Sequence, residues 1–168
     1  VLLFAGQAAA DEPRYPEVMF ILDGSGSMWG KAGEQTKIQA AKEVMNVIIP
    51  RLPEEVSFGL VAYGHRRKGD CQDVETLIEN KSTDREALLA AVESISPKGK
   101  TPIAASVNMV AESLKTNENE TTIVLVSDGL ETCHDAPCQE IQKLSDSGLK
   151  FVLHVVGFDV DEQALEQL

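Results

Sequence analysis

Apolar runs alternate along this chain with stretches whose apolar positions recur at helical spacing. Glu17 to Asp23 (EVMFILD) is nearly all apolar and closes on a carboxylate, as expected for a strand buried on both faces. "TKIQAAKEVMNVII" then sets Ile38, Ala41, Met45 and Ile48 on one helical stripe, and Pro50 and Pro53 stop it. "VSFGLVAYG" predicts a second strand. After the polar connection "HRRKGDCQ", "DVETLIE" predicts a shorter strand that forms a hairpin with it at the sheet edge. "STDREALLAAVESI" offers Ser, Thr and Asp as caps and carries Leu88, Leu89, Val92 and Ile95 at helical spacing. A further helix runs from about Ile103 to Leu114 after the turn "SPKGKTP". The strand "TTIVLVSDG", the helix "CQEIQKLSDSGL" ending at Gly148, and the strand "FVLHVVGFD" complete the series.

Helical returns between apolar strands imply right-handed crossovers and a mostly parallel sheet with helices on both faces. The predicted fold class is therefore α/β, doubly wound, with one antiparallel edge strand. Ligands of such sheets bind beyond the carboxyl ends of the strands, where strand order reverses. Functional side chains are sought there.

Composition narrows the choice. The 168 residues suit one domain, and 43% hydrophobic with 25% charged residues is ordinary for a globular chain, which excludes disordered, collagenous and multi-span membrane classes. A formal net charge of −12 argues against nucleic acid as a partner, because that affinity comes from clustered Lys and Arg. The opening "VLLFAGQAAADEP" reads as the end of a secretory signal peptide with cleavage after Ala10, too short to span a bilayer, so residues 11–168 form the expected domain. The expected location is the periplasm or outside the cell. Cys133 and Cys138 bracket a short polar loop that could close as a local disulfide, leaving Cys71 over. Pairing of Cys71 with either of the other two is also conceivable, and its partner could lie beyond the end of the chain. Zinc at Cys133, His134 and Cys138 lacks the paired two-residue spacings of a structural site.

Three chemistries can follow a strand that ends "ILDGSGSMWG". As a nucleotide turn, Gly24, Gly26 and Gly30 are spaced one residue too long, and Glu43 falls inside a helix, away from a ribose-binding position. "GKT" at Gly99 to Thr101 lacks the upstream glycine of a phosphate loop, since Ser94 stands there. As a nucleophile elbow, Ser25 and Ser27 lack the flanking glycine pattern, and His154 within the last apolar strand reads as a core imidazole. The cation site uses more residues. Asp23, Ser25 and Ser27 alternate in a turn, with Gly24 and Gly26 supplying unusual torsions, while Asp128 ends another buried strand and Thr101 precedes a helix.

Asp23-Gly24-Ser25-Gly26-Ser27, a lone Thr101 in "GKTP", and Asp128 followed by Gly resemble, in that order, the von Willebrand factor type A (VWA) domain and its metal-ion-dependent adhesion site, most like exported bacterial members. The resemblance implies a doubly wound sheet with one antiparallel edge strand. It implies Mg²⁺, with Mn²⁺ or Ca²⁺ as substitutes, bound directly by Ser25 and Ser27 and by Thr101 directly or through water. Asp23 and Asp128 would act through waters and hydrogen bonds, leaving one metal position for an Asp or Glu of a partner protein. The family's further C-terminal strand and helix are not found in this chain, which reads as truncated there. The implied function is binding, without catalysis; the alternative is a metal-dependent hydrolase or an accessory subunit of a chelatase or ATPase. Arg66, Arg67 and Lys68 are candidates for steering an acidic partner, against the plainer reading of a solvated hairpin loop. Trp29 is either a lid against the first helix or an exposed contact residue.

Overall fold

The computed structural model describes residues 17–115, 121–129, 131–134, 136–146 and 148–158. The predicted signal segment, residues 1–10, lies outside them. Strand β1 (Glu17–Asp23) is followed by a 3₁₀ turn (Gly26–Trp29), by β2 (Lys31–Ala32) and β3 (Gln35–Thr36), and by helix α1 (Lys37–Ile48). Then come β4 (Phe58–Tyr63), β5 (Val74–Ser82), α2 (Arg85–Ser94), α3 (Ile103–Leu114), β6 (Thr121–Ser127), α4 (Pro137–Asp146) and β7 (Phe151–Gly157). The five-stranded sheet has the order β5-β4-β1-β6-β7. Every pairing in it is parallel except β4 with β5, so the predicted antiparallel edge strand is present. The small β2–β3 hairpin has no counterpart in the sequence reading, because two-residue strands carry no periodicity.

Alternation along β1 builds both cores. Phe20 and Leu22 point to the face covered by α1 and α2, where Ile38, Met45, Leu88 and Val92 meet them. Met19 and Ile21 point to the other face, against Ile103, Val107 and Val110 of α3. Each face buries its helices on a continuous apolar layer, which fixes the strand ends relative to the loops above them.

The helix starts follow capping chemistry. Thr36 and Gln39 form a reciprocal capping box at α1. Of the three cap candidates before α2, Asp84 is the one used, accepting from the Ala87 N–H at 2.9 Å. The α1 stripe needs one correction: Ile49 is fully buried whereas Ile48 is 41% exposed, because the helix gives way to a 3₁₀ turn there and the face rotates. His154 is also not in the core; it is exposed on β7, an edge strand among the described residues.

Candidate metal centre

Strand order reverses at β1, which pairs with β4 on one side and β6 on the other. The ends of β1 and β6 therefore deliver Asp23 and Asp128 to neighbouring points on the carboxyl edge. Asp23 is wholly buried and Asp128 is 5% exposed.

After Asp23 the chain folds back at once. The Ser25 N–H donates to Asp23 Oδ1 at 2.7 Å. Gly26 N–H donates to the Gly99 carbonyl at 3.0 Å, so Ser25 pairs as an isolated bridge with the turn before α3. Neither Gly24 nor Gly26 has a positive φ, and only Gly24 is required by space, since a Cβ at Gly26 would meet nothing nearer than 3.8 Å. A side chain at Gly24 would strike the Tyr63 carbonyl and His65 Cβ, both 2.7 Å from an added Cβ. Gly64 is the residue with the left-handed backbone, φ +66°, and it packs against Ser25 and the Lys100 carbonyl.

Four of the five predicted ligands share one hydrogen-bonded chain. Ser25 Oγ and Ser27 Oγ lie 2.9 Å apart, and Ser27 Oγ donates to Asp128 Oδ1 at 2.8 Å. Asp23 Oδ2 accepts from Ser127 Oγ at 2.7 Å, and Ser127 Oγ in turn accepts from the Tyr63 hydroxyl at 3.1 Å. Thr101 is buried two residues after Gly99, the residue that pairs with Ser25, and makes no hydrogen bond to the other four among the described residues. Its own backbone is held by Thr132, whose Oγ1 accepts from Thr101 N–H at 2.9 Å and whose N–H donates to Thr101 O at 3.1 Å.

Charge is unevenly distributed here. Burial pushes the Asp23 carboxyl above the ordinary range; hydrogen bonds from Ser25 and Ser127 pull it back, and the nearby Asp128 charge pushes it further up. Burial, followed by the charge of Asp23, holds the Tyr63 phenol well above its usual value. Asp128 does have a cation, Lys37, whose Nζ lies 3.0 Å from Oδ2. Sequence reasoning missed Lys37, Ser127 and Tyr63. Ser127 stands next to Asp128 in "VSDG", and strand alternation sends it to the opposite side, onto Asp23. Lys37 and Tyr63 carry no local signal.

The donor set fits a hard divalent cation. It comprises hydroxyls and carboxylate oxygens, with a buried carboxylate that burial and a like charge both disfavour in its ionised form. Among the described residues no three His, Cys, Asp or Glu side chains converge as a metal cage, so the hydroxyls are indispensable to any such site. The thiolate zinc reading fails because Cys133 is bonded to Cys71, with their Cα atoms 5.6 Å apart. The local Cys133–Cys138 bridge is thereby corrected: Cys71, on the β4–β5 loop, reaches the loop after β6.

That β4–β5 loop is closed around Asp73. Burial pushes this carboxyl up, but the backbone N–H groups of Arg67 and Arg66 and the Arg66 guanidinium outweigh it and hold the group below its ordinary value. Arg66 Nε lies 2.7 Å from Asp73 Oδ1, Arg66 Nη1 lies 3.2 Å from Glu75, and Arg67 Nε lies 3.1 Å from Asp70. The two arginines suggested for steering are thus engaged within their own loop.

Hydroxyls and carboxylates thus gather where a doubly wound sheet reverses its strand order, a donor set that suits a hard cation. A sequence profile of the von Willebrand factor type A domain matches residues 18–131. The chain belongs to that family. It is 27% identical over 169 residues to the uncharacterized protein YwmD of Bacillus subtilis, covering 95% of this chain and 75% of that protein. The fold is shared with proximal thread matrix protein 1 from the mussel byssus, solved with a zinc-occupied MIDAS motif (TM-score 0.64, 22% identity, 85% of this chain and 35% of that one). It is shared also with the manganese-loaded TRAP protein of Plasmodium vivax (TM-score 0.61, 17% identity, 89% of this chain and 60% of that one).

Proposed function

We propose that this chain is a divalent-cation-dependent binding module that captures an acidic side chain of a partner protein through Mg²⁺ held by Ser25, Ser27 and Thr101, with Asp23 and Asp128 as hydrogen-bonding support. The observation that carries this reading is the continuous chain from Ser25 through Ser27 to Asp128 beside a buried Asp23 that has hydroxyl and amide donors for partners. Occupation of the corresponding motif in the zinc-bound mussel protein, and the manganese bound to the Plasmodium protein, support a divalent ion in this family. Mn²⁺ or Ca²⁺ would serve as substitutes.

When bound, the cation supplies an electrophilic point whose charge the neutral hydroxyls do not cancel, so an incoming carboxylate gains from it. The residues around it orient, and they offer no general base in an evident role. His65 is turned to Glu75, with Nε2 and Oε2 3.0 Å apart, and His134 is largely exposed beside Glu140. Binding without catalysis is therefore preferred over a hydrolytic or ATPase-accessory role. Export to the periplasm or beyond is part of the proposal, and the Cys71–Cys133 disulfide supports an oxidising compartment. Among the described residues no helix is long and apolar enough to cross a membrane.

Thermal melts with and without Mg²⁺ test the metal. A rise in Tm that Ser25→Ala and Ser27→Ala abolish is expected, by mass action on the folded state. Partner capture that chelator removes and free acetate competes away is the corresponding expectation for the ligand. Metal-dependent ester or phosphate turnover that Ser25→Ala abolishes would instead assign an enzyme.

A further inference from the structure

We propose that the rim around the candidate metal position is a cationic docking surface for an acidic peptide segment bearing several carboxylates, with Lys68, Lys98 and Lys100 as its charge and Trp29 as its apolar anchor. This inference rests on the metal-dependent reading above and goes further by specifying what surrounds the captured side chain.

A positive rim is not the default for a chain of formal charge −12. It arises because, among the described residues, most acidic groups of this edge are already engaged. Asp73 and Glu75 hold Arg66, Asp70 holds Arg67, and Asp128 holds Lys37. Glu131 accepts the Ala104 N–H at 2.9 Å and the Cys133 N–H at 2.7 Å. Glu34 is exposed at the tip of the β2–β3 hairpin beyond Trp29. Lys68, Lys98 and Lys100 are exposed, and among the described residues none of the three enters an ion pair.

Their backbones are fixed against one another. Lys98 N–H donates to the Gly24 carbonyl at 2.9 Å, and Gly99 N–H donates to the Gly64 carbonyl at 2.7 Å. The turn bearing Lys98 and Lys100 is therefore bonded to the turn that carries the candidate ligands. Gly99 also touches the loop that bears Lys68: a Cβ added there would lie 2.6 Å from the Arg67 carbonyl. Trp29 extends the same surface. Its indole N–H donates to the Pro97 carbonyl at 2.9 Å, yet the side chain leaves the residue 56% exposed. An aromatic ring already immobilised, with open surface, loses little entropy on contact and is the residue type that dominates binding hot spots.

An exposed lysine contributes little singly. Several unpaired cations around one electrophilic centre, however, raise encounter rates and reward a ligand that brings more than one negative group. The net negative charge of the whole chain disfavours a long polyanion such as nucleic acid, which leaves a short acidic peptide as the fitting partner.

The test is surface plasmon resonance on the full chain with two synthetic peptides, one carrying a single Glu and one a Glu cluster, each in Mg²⁺ and in chelator. At low salt the clustered peptide should bind about tenfold tighter, mainly through faster association, and added NaCl should erase the preference. The combined variant Lys68→Gln, Lys98→Gln, Lys100→Gln should lose the preference, its Mg²⁺-induced melting shift serving as the check on fold and metal. Trp29→Ala should speed dissociation of both peptides. Equal binding of the two peptides to the wild type, full preference retained by the triple variant, or binding of a sulfated polysaccharide with no peptide binding would overturn the proposal. Clustered-peptide binding that persists in chelator yet is lost in the triple variant would sustain the rim and sink the metal reading.

Discussion

Asp23 and Asp73 are both shut away from solvent at the same edge of the sheet, and burial pushes both carboxyls in the same direction. Their neighbours send them apart. Asp73 receives two backbone N–H groups and a guanidinium, and its affinity for a proton falls below the ordinary value. Asp23 receives hydroxyls and one amide, stands near Asp128, and its affinity rises. The first carboxylate is complete as folded and serves to close a loop. The second is short of positive charge, and that shortage is what the proposed cation would relieve.

The region around Asp73 should show the largest losses when broken. Removing the Cys71–Cys133 bridge, which closes a sequence separation of 62 residues, should cost about 4 kcal/mol in the chain-entropy description, read by denaturant unfolding of Cys71→Ser, Cys133→Ser. Asp73→Asn should cost about 3 kcal/mol, because the carboxamide carries no charge for the Arg66 guanidinium and keeps only one acceptor oxygen where the carboxylate serves a guanidinium and two amides with two. The sign with pH follows: Asp73 titrates lower when folded, so its stabilisation is present above its unfolded value near 3.8 and is lost as pH falls through the lower folded one. Acid unfolding of Asp73→Asn should accordingly lack that step.

At Asp23 the expectation reverses. Saturating Mg²⁺ should add about 2.7 kcal/mol at a hundredfold excess over Kd, and Asp23→Asn should remove that gain while costing the metal-free protein less than about 1 kcal/mol. Equal damage from Asp23→Asn and Asp73→Asn without metal would erase the contrast. Lys37→Met carries the smallest effect. With its cation gone from Asp128, metal-free stability should fall by about 1 kcal/mol while the Mg²⁺-induced rise in Tm grows; a fall in both would make Lys37 merely structural.

Much of this was legible because periodicity and strand ends are local properties. The β1 and α3 boundaries and the antiparallel edge of β5 follow from apolar runs and turn residues, and Ser25, Ser27 and Asp128 converge as their placement at strand ends implies. What was illegible depends on contacts distant in sequence. The Cys71–Cys133 pairing joins two loops whose approach is set by the sheet. Lys37 reaches Asp128 across 91 positions, and Tyr63 reaches Ser127 across 64. Arg66 and Arg67 looked available because the sequence does not reveal that Asp73 is folded beneath them. Torsional freedom is what the sequence suggests for Gly24 and Gly26, but neither has a positive φ, and only the packing of Gly24 against the end of β4 shows that room is the constraint at that one residue.

The most direct measurement is a calorimetric titration of Mg²⁺ into the wild type and into Ser27→Ala. A saturable heat of a single ion per chain in the wild type, absent from the variant, is the predicted result. Identical isotherms for the two proteins, or no saturable heat at millimolar Mg²⁺, would contradict a cation site at the ends of β1 and β6.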